Sequence, residues 1–126
     1  MLKFILKGSL LSFVTIIFLL MIIIWVPSLW GWSQFRVISA SMYPSLTPGD
    51  IILVRPVDAS SIRVGDIVTY QRPGESVVTH RIKQISADGT FVTQGDSNPQ
   101  PDSSPLEPQW LIGKVIIRIP LGGLTR

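Results

Sequence analysis

The stretch GDIVTYQRPGESVVTHRIKQISADGTFVTQ (65–94) carries three short runs of Val, Ile, Thr and aromatic residues, separated by two clusters of turn-forming residues. β-Branched and aromatic side chains fit a pleated, half-buried surface, so GDIVTYQR (65–72), SVVTHRIKQI (76–85) and TFVTQ (90–94) read as strands. RPGES (72–76) and ADGT (87–90) supply the turns, and the Asp88-Gly89 pair is a strong hairpin signal. Two antiparallel hairpins in succession follow. Side chains alternate across a strand, so the middle one sets Val78, His80 and Ile82 on one face and Thr79, Arg81 and Lys83 on the other.

The same composition recurs on either side, in DIILVRP (50–56) and LIGKVIIRI (111–119). Residues 28–126 therefore read as all-β. Between the last two runs lies GDSNPQPDSSPLEP (95–108), which has four prolines and no apolar periodicity. A loop of that length in so small a domain points to function or disorder. Gly-Asp dipeptides recur at 49–50, 65–66 and 95–96, and the first two are explained as turns entering strands.

The N-terminal part has a different composition. LLSFVTIIFLLMIIIWVP (10–27) is apolar, and no charge occurs from Gly8 to Phe35. About 20 such residues span the ~30 Å hydrocarbon core of a bilayer. A cleaved signal peptide would carry a shorter apolar region of ~7–15 residues and a small-residue cleavage site, whereas bulky SLWGW follows here. Lys3 and Lys7 precede the span, which favours a cytoplasmic N-terminus and an exported C-terminal part. Trp25, Trp30 and Trp32 sit at its exit, where amphipathic indoles partition. The expected organisation is a cytoplasmic N-terminus (1–8), a transmembrane helix (9–27), a membrane-proximal linker (28–38) and an extracytoplasmic domain (39–126).

The chain has 11 Lys+Arg against 8 Asp+Glu and a pI near 9.7. Setting aside Lys3 and Lys7 leaves nine basic against eight acidic residues, a net of +1 for the exported part. The basic pI is thus partly topogenic, and no basic stripe suggests nucleic acid. The absence of cysteine excludes disulfides, thiolate metal sites and thiol catalysis. With one histidine and no thiol, the usual metal-ligand sets cannot be assembled, and no metal or other cofactor is expected.

Few groups remain for chemistry. His80 shares the apolar face of its strand, and such a histidine, taken alone, is most often a packed core residue. Serines are abundant and mostly decorate turns. Ser41, in ISASMYPSL (38–46), has a distinctive frame: Pro44 forces the chain to turn just after Met42, and Met42 is a flexible apolar anchor beside it. A serine attacks a carbonyl only with an adjacent base, and histidine suits that task. The imidazole in turn needs an acid to hold its tautomer, and the 95–108 loop offers Asp96 and Asp102.

Taken together, SxSMxP, PGDIILV, GDIVTYQ, VVTHRI and TQGDSN…D, in this order behind an N-terminal anchor, resemble type I signal peptidases, peptidase family S26. The resemblance covers about Ser39 to Pro120. His80-Arg81-Ile82 stands where the common bacterial branch has a lysine, so the chain is similar to the histidine branch found in the endoplasmic reticulum, in archaea and in sporulation-type bacterial enzymes. Lys83 faces away from His80 and is rejected as the base.

The resemblance implies a small twisted β-barrel domain behind one transmembrane helix, and hydrolysis of the bond that joins a signal peptide to an exported preprotein. Matched residue by residue, Ser41 is the nucleophile, His80 the base, Asp102 the favoured third member and Asp96 a supporting or alternative acid. Ser39 matches the hydroxyl that joins the Ser41 backbone N–H in the oxyanion hole, and Met42 and Leu53 are candidate walls of the substrate cleft. Ser97 departs from the family, standing where asparagine is common. The implied partners are preproteins, the lipid bilayer and accessory membrane subunits, in the cell membrane or that of the endoplasmic reticulum. Only 14 positions separate Pro27 from Ser41, so even fully extended the nucleophile lies within ~50 Å of the bilayer exit. A catalytically idle accessory relative and an anchored β-module with a binding role are the competing readings.

Overall fold

The computed structural model describes residues 1–124 and, apart from residues 2–6 and 124, their side chains. The Lys3 side chain and the last two positions of the expected domain lie outside that description. The chain divides into two compact units, Met1–Trp32 and Ser33–Arg126.

The first unit is helix α1, Leu2–Leu29. Within it, Lys7–Leu29 is long and apolar enough to cross a membrane. Its 23 residues extend roughly 35 Å at 1.5 Å per residue. The apolar side chains are exposed on every side: Phe18 is 62% and Ile23 67% exposed. A helix apolar all round has no soluble face, which suits a lipid environment. Pro27 lies in its last turn, and the N–H groups of Trp30 and Trp32 close that turn on the Pro27 carbonyl.

The second unit is a six-stranded antiparallel sheet, β1 (Ser33–Arg36), β2 (Ile51–Arg55), β3 (Ile67–Tyr70), β4 (Val78–Ile85), β5 (Phe91–Gln94) and β6 (Leu111–Ile119), in the spatial order β1-β2-β6-β3-β4-β5. The five strands read from composition are all present, and β3-β4-β5 are the two successive hairpins. In the second turn Gly89 takes φ 86°, and Asp88 Oδ1 accepts from the Thr90 N–H; a left-handed position beside an Asx turn is what Asp-Gly supplies.

One strand was not expected. Ser33–Arg36 falls inside the anticipated linker 28–38, yet it pairs with β2, Phe35 opposite Ile52. SQFR is too short and polar to announce itself as a strand; its partner β2 supplies the ladder.

Alternation sorts the core. Ile52 and Val54 of β2 point inward with Met42 and Leu46 to form one apolar cluster. Val68, Tyr70, Ile82 and Phe91, with Ile62 and Leu106, form a second. The outer edge of β5 is covered by the loop that follows it, through reciprocal bonds between Phe91 and Leu106. Among the described strands no ladder joins β5 to β1. The segments that follow these two edge strands are bonded instead: the Ser97 N–H donates to the Ser41 carbonyl at 2.9 Å, and Ser97 Oγ donates to the Ala40 carbonyl at 2.8 Å. The sheet is therefore joined across its ends by loops, and Ser41 lies in that seam.

Candidate active site

Ser41 sits in a turn pinned from three sides. Met42 is 2% exposed, locked in the core beside it. Behind it, Ser97 holds the Ala40 and Ser41 carbonyls. Farther on, Arg118 donates to the Ser45 carbonyl at 2.8 Å and to Thr47 Oγ1, while its Nε reaches Asp50 Oδ2 at 2.6 Å. Asp50 is fully buried and also accepts from the N–H groups of Thr47 and Gly122. Burial pushes the Asp50 carboxyl up, but those two N–H bonds and the Arg118 guanidinium outweigh it and hold the carboxyl below the usual range.

On β4, His80 faces inward beside Ile82, and Arg81 faces the other way. These neighbours take different acids. His80 Nδ1 lies 2.7 Å from Asp102 Oδ2, and His80 Nε2 lies 3.2 Å from Ser41 Oγ. Arg81 donates from Nε and Nη2 to the two oxygens of Asp96, at 2.8 and 2.7 Å, and from Nη2 to Ser45 Oγ. Hydrogen bonding to Arg81 holds the Asp96 carboxyl below its ordinary value against the opposing push of burial. Both Asp96 oxygens are thus engaged by the guanidinium, and the acid that reaches the imidazole is Asp102.

An ionised carboxylate only accepts, so a bond to Asp102 puts the ring proton on Nδ1 and leaves the Nε2 lone pair facing the Ser41 hydroxyl. Such a row can draw a proton from the serine as its oxygen attacks an electrophile. The Asp102 carboxyl is pushed up by burial, yet Thr93, His80 and Tyr70 hold it below its ordinary value. Ser39 Oγ lies 3.1 Å from Ser41 Oγ, within reach of the same reacting centre.

A cleft of about 560 Å³ opens over this row. Ser39, Ser41, Met42, His80 and Asn98 line it, together with residues of β1 and of the turn before β4. Of the two candidate wall residues, Met42 is in place. Leu53 is not: Ile52 lines the cleft, and alternation along β2 turns Leu53 to the other face of the sheet.

Gly95 is a residue that motif reading passed over. A Cβ at this position would stand 2.6 Å from the Ser41 carbonyl oxygen and 2.8 Å from Asn98 Nδ2. The Asn98 side chain can rotate away, but the Ser41 backbone cannot give way cheaply. Its sequence signals were the third Gly-Asp dipeptide and the TQGDSN run that contains it. Gly95→Ala is expected to displace Ser41 and lower turnover about 100-fold with the sheet intact, since a misplacement of ~1 Å at a reacting group has that order of effect; kinetics alongside circular dichroism check it.

Residues 10–96 match a family model described as signal peptidase, peptidase S26. The chain belongs to the signal peptidase family. Over 84 residues it is 36% identical to signal peptidase I W of Bacillus subtilis (strain 168), an alignment covering 64% of this chain and 44% of that protein. The chain spans less than half the length of that relative. The signal peptidase match includes Ser41, His80 and Asp96 and ends before Asp102, so the partner of His80 is located by geometry alone.

Proposed function

We propose that this chain is a membrane-anchored serine endopeptidase that cuts signal peptides from exported preproteins. The observation that carries this reading is the row Ser41 Oγ, His80 Nε2 and Nδ1, and Asp102 Oδ2, at 3.2 and 2.7 Å, opening on a cleft. In this mechanism Ser41 Oγ attacks the scissile carbonyl carbon while His80 Nε2 takes the hydroxyl proton. The Ser41 backbone N–H and the Ser39 hydroxyl stabilise the oxygen of the tetrahedral intermediate, each such donor being worth ~2.7–4 kcal/mol in the transition state. The imidazolium returns its proton to the leaving amine, and the C–N bond breaks to leave an ester on Ser41. Water, deprotonated by His80, then hydrolyses the ester and regenerates the hydroxyl.

Helix α1 is read as a retained single span with a cytoplasmic N-terminus, so that the sheet domain works outside the cytoplasm on substrates that are themselves held in the bilayer by apolar segments. The substrate binds extended in the cleft, which Met42 and Ile52 help to line. The test uses the full chain purified in detergent and a preprotein whose signal ends in Ala-x-Ala. Cleavage at that junction, lost in Ser41→Ala and His80→Ala and retained in Lys83→Ala, is expected. Activity that survives His80→Ala would overturn the assignment, and no cleavage by the wild-type chain would favour the idle-relative reading.

A further inference from the structure

The acid of this row is held by more than the imidazole. Asp102 lies on a loop without regular structure, in a run of prolines and serines, so its carboxylate orientation must be imposed from outside. Three donors converge on its Oδ2: His80 Nδ1 at 2.7 Å, Thr93 Oγ1 at 2.6 Å and Tyr70 OH at 3.1 Å. They come from three adjacent strands, β3, β4 and β5. Pairing explains how they meet: Tyr70 lies opposite Val78, and Thr93 opposite Ile82, so both project on the face that carries His80. Both are buried, Thr93 at 0% and Tyr70 at 1% exposure. Thr93 holds Asp102 twice, since its carbonyl also accepts the Asp102 N–H at 2.8 Å.

Proton bookkeeping shows that neither hydroxyl is there by packing alone. Tyr70 OH and Thr93 Oγ1 approach each other at 3.3 Å, but each has one proton and each directs it to the carboxylate. An unpaired hydroxyl in this position would cost the desolvation of a buried polar group. Arg72 completes the arrangement. Its guanidinium stacks 5.1 Å above the Tyr70 ring and donates to the Ser104 carbonyl at 2.7 Å, two residues beyond Asp102. The ring that orients the acid and the loop that carries it are thereby tied to one side chain.

We propose that Thr93 and Tyr70 are positioning residues of this site, a pair of hydroxyls that aim Asp102 Oδ2 at His80 Nδ1 and share the charge of that oxygen. The inference rests on the Ser41–His80–Asp102 reading of the site. Its consequence has a definite sign. A carboxylate that gives part of its lone-pair density to two hydroxyls stabilises an imidazolium less than one that does not. Removing a hydroxyl therefore raises the affinity of the His80–Asp102 pair for its first proton and loosens the aim of the acid. The groups facing the carboxylate are His80 from β4, Tyr70 from β3 with Arg72 stacked on it, and Thr93 from β5.

The chain has a single histidine, so its ring resonances in the full-length protein in detergent need no assignment. Their titration tests the proposal without any substrate. Thr93→Val is expected to move the midpoint up by about half a pH unit. Tyr70→Phe should move it in the same direction by less, because its bond is the longest of the three. Thr93→Ser, which keeps the hydroxyl, should restore the wild-type midpoint. In the cleavage assay, Thr93→Val should lower kcat roughly tenfold with KM little changed, as expected when a hydrogen bond to a charged group is lost. Midpoints unchanged in both Thr93→Val and Tyr70→Phe, in variants whose spectra show the folded sheet, overturn the proposal. That result would stand even if the wild-type chain cleaves preprotein, and a shifted midpoint supports it even if the chain cleaves none.

Discussion

Cleavage of a preprotein is expected to fall about 10⁶-fold in Ser41→Ala and by a similar factor in His80→Ala, and the double variant should fall no further. In the proposed mechanism the two side chains act on one proton, so removing either removes the unit. Asp102→Asn should cost about 10⁴-fold without unfolding the sheet, because the amide can present N–H in place of the acceptor and favour the wrong imidazole tautomer. Asp96→Asn should behave differently. Its carboxylate is committed to Arg81, which also binds Ser45 Oγ and the Gly65 carbonyl, so this change should lower the melting temperature and leave most of the turnover. Initial rates on a preprotein, with thermal melts in the same detergent, separate the two acids. Equal loss of kcat in Asp96→Asn and Asp102→Asn would mean that the geometry at β4 does not describe the working enzyme.

The largest loss of stability is expected at Arg118. Removing one partner of a buried ion pair strands the other, which typically costs 3–5 kcal/mol. The Asp50 side chain is fully buried, whereas that of Arg118 is 37% exposed, so solvent already screens part of the pair and about 2 kcal/mol is the expected loss. For a domain of this size that lowers Tm by about 10 °C. The sign with pH follows from Asp50, whose folded carboxyl lies below its ordinary value. Such a group contributes stability that is fully present above the unfolded pKa of ~3.9 and is lost as pH falls through the lower folded value. Without Arg118 the push of burial is less well opposed, so Arg118→Ala should begin to unfold at higher pH than wild type. Urea melts between pH 3 and pH 7 measure this, and an Arg118→Ala chain with the wild-type acid transition would contradict it.

Much of this molecule could be read before any coordinates. Five strands announced themselves by β-branched runs between turn residues, and α1 by a long stretch without charge. Alternation alone placed His80 on the inner face and Lys83 on the outer, because a period of two is a local property of the backbone. The missed strand, Ser33–Arg36, had no such local signature and exists through its pairing with β2. Leu53 was misplaced because two adjacent apolar residues of a strand cannot share a face, and composition does not say which of them points inward.

The site divides in the same way. The turn at Ser41, the lone histidine and two acids in the 95–108 loop were all legible, being statements about residue types along the chain. Which acid meets the imidazole was not legible, since Asp96 and Asp102 lie on one flexible-looking loop six positions apart. That choice is made by the opposite faces of β4: Arg81 takes Asp96 on one side, leaving His80 to Asp102 on the other. Nor could the sequence show that Tyr70 and Thr93, 23 residues apart, converge on one carboxylate oxygen. Sequence alone determined five of the six strands, the long apolar N-terminal helix and the inventory of candidate reactive groups, because local periodicity and composition set those. Only the tertiary structure decided their pairing, because register across three strands and a seam between loops depends on residues distant in the chain.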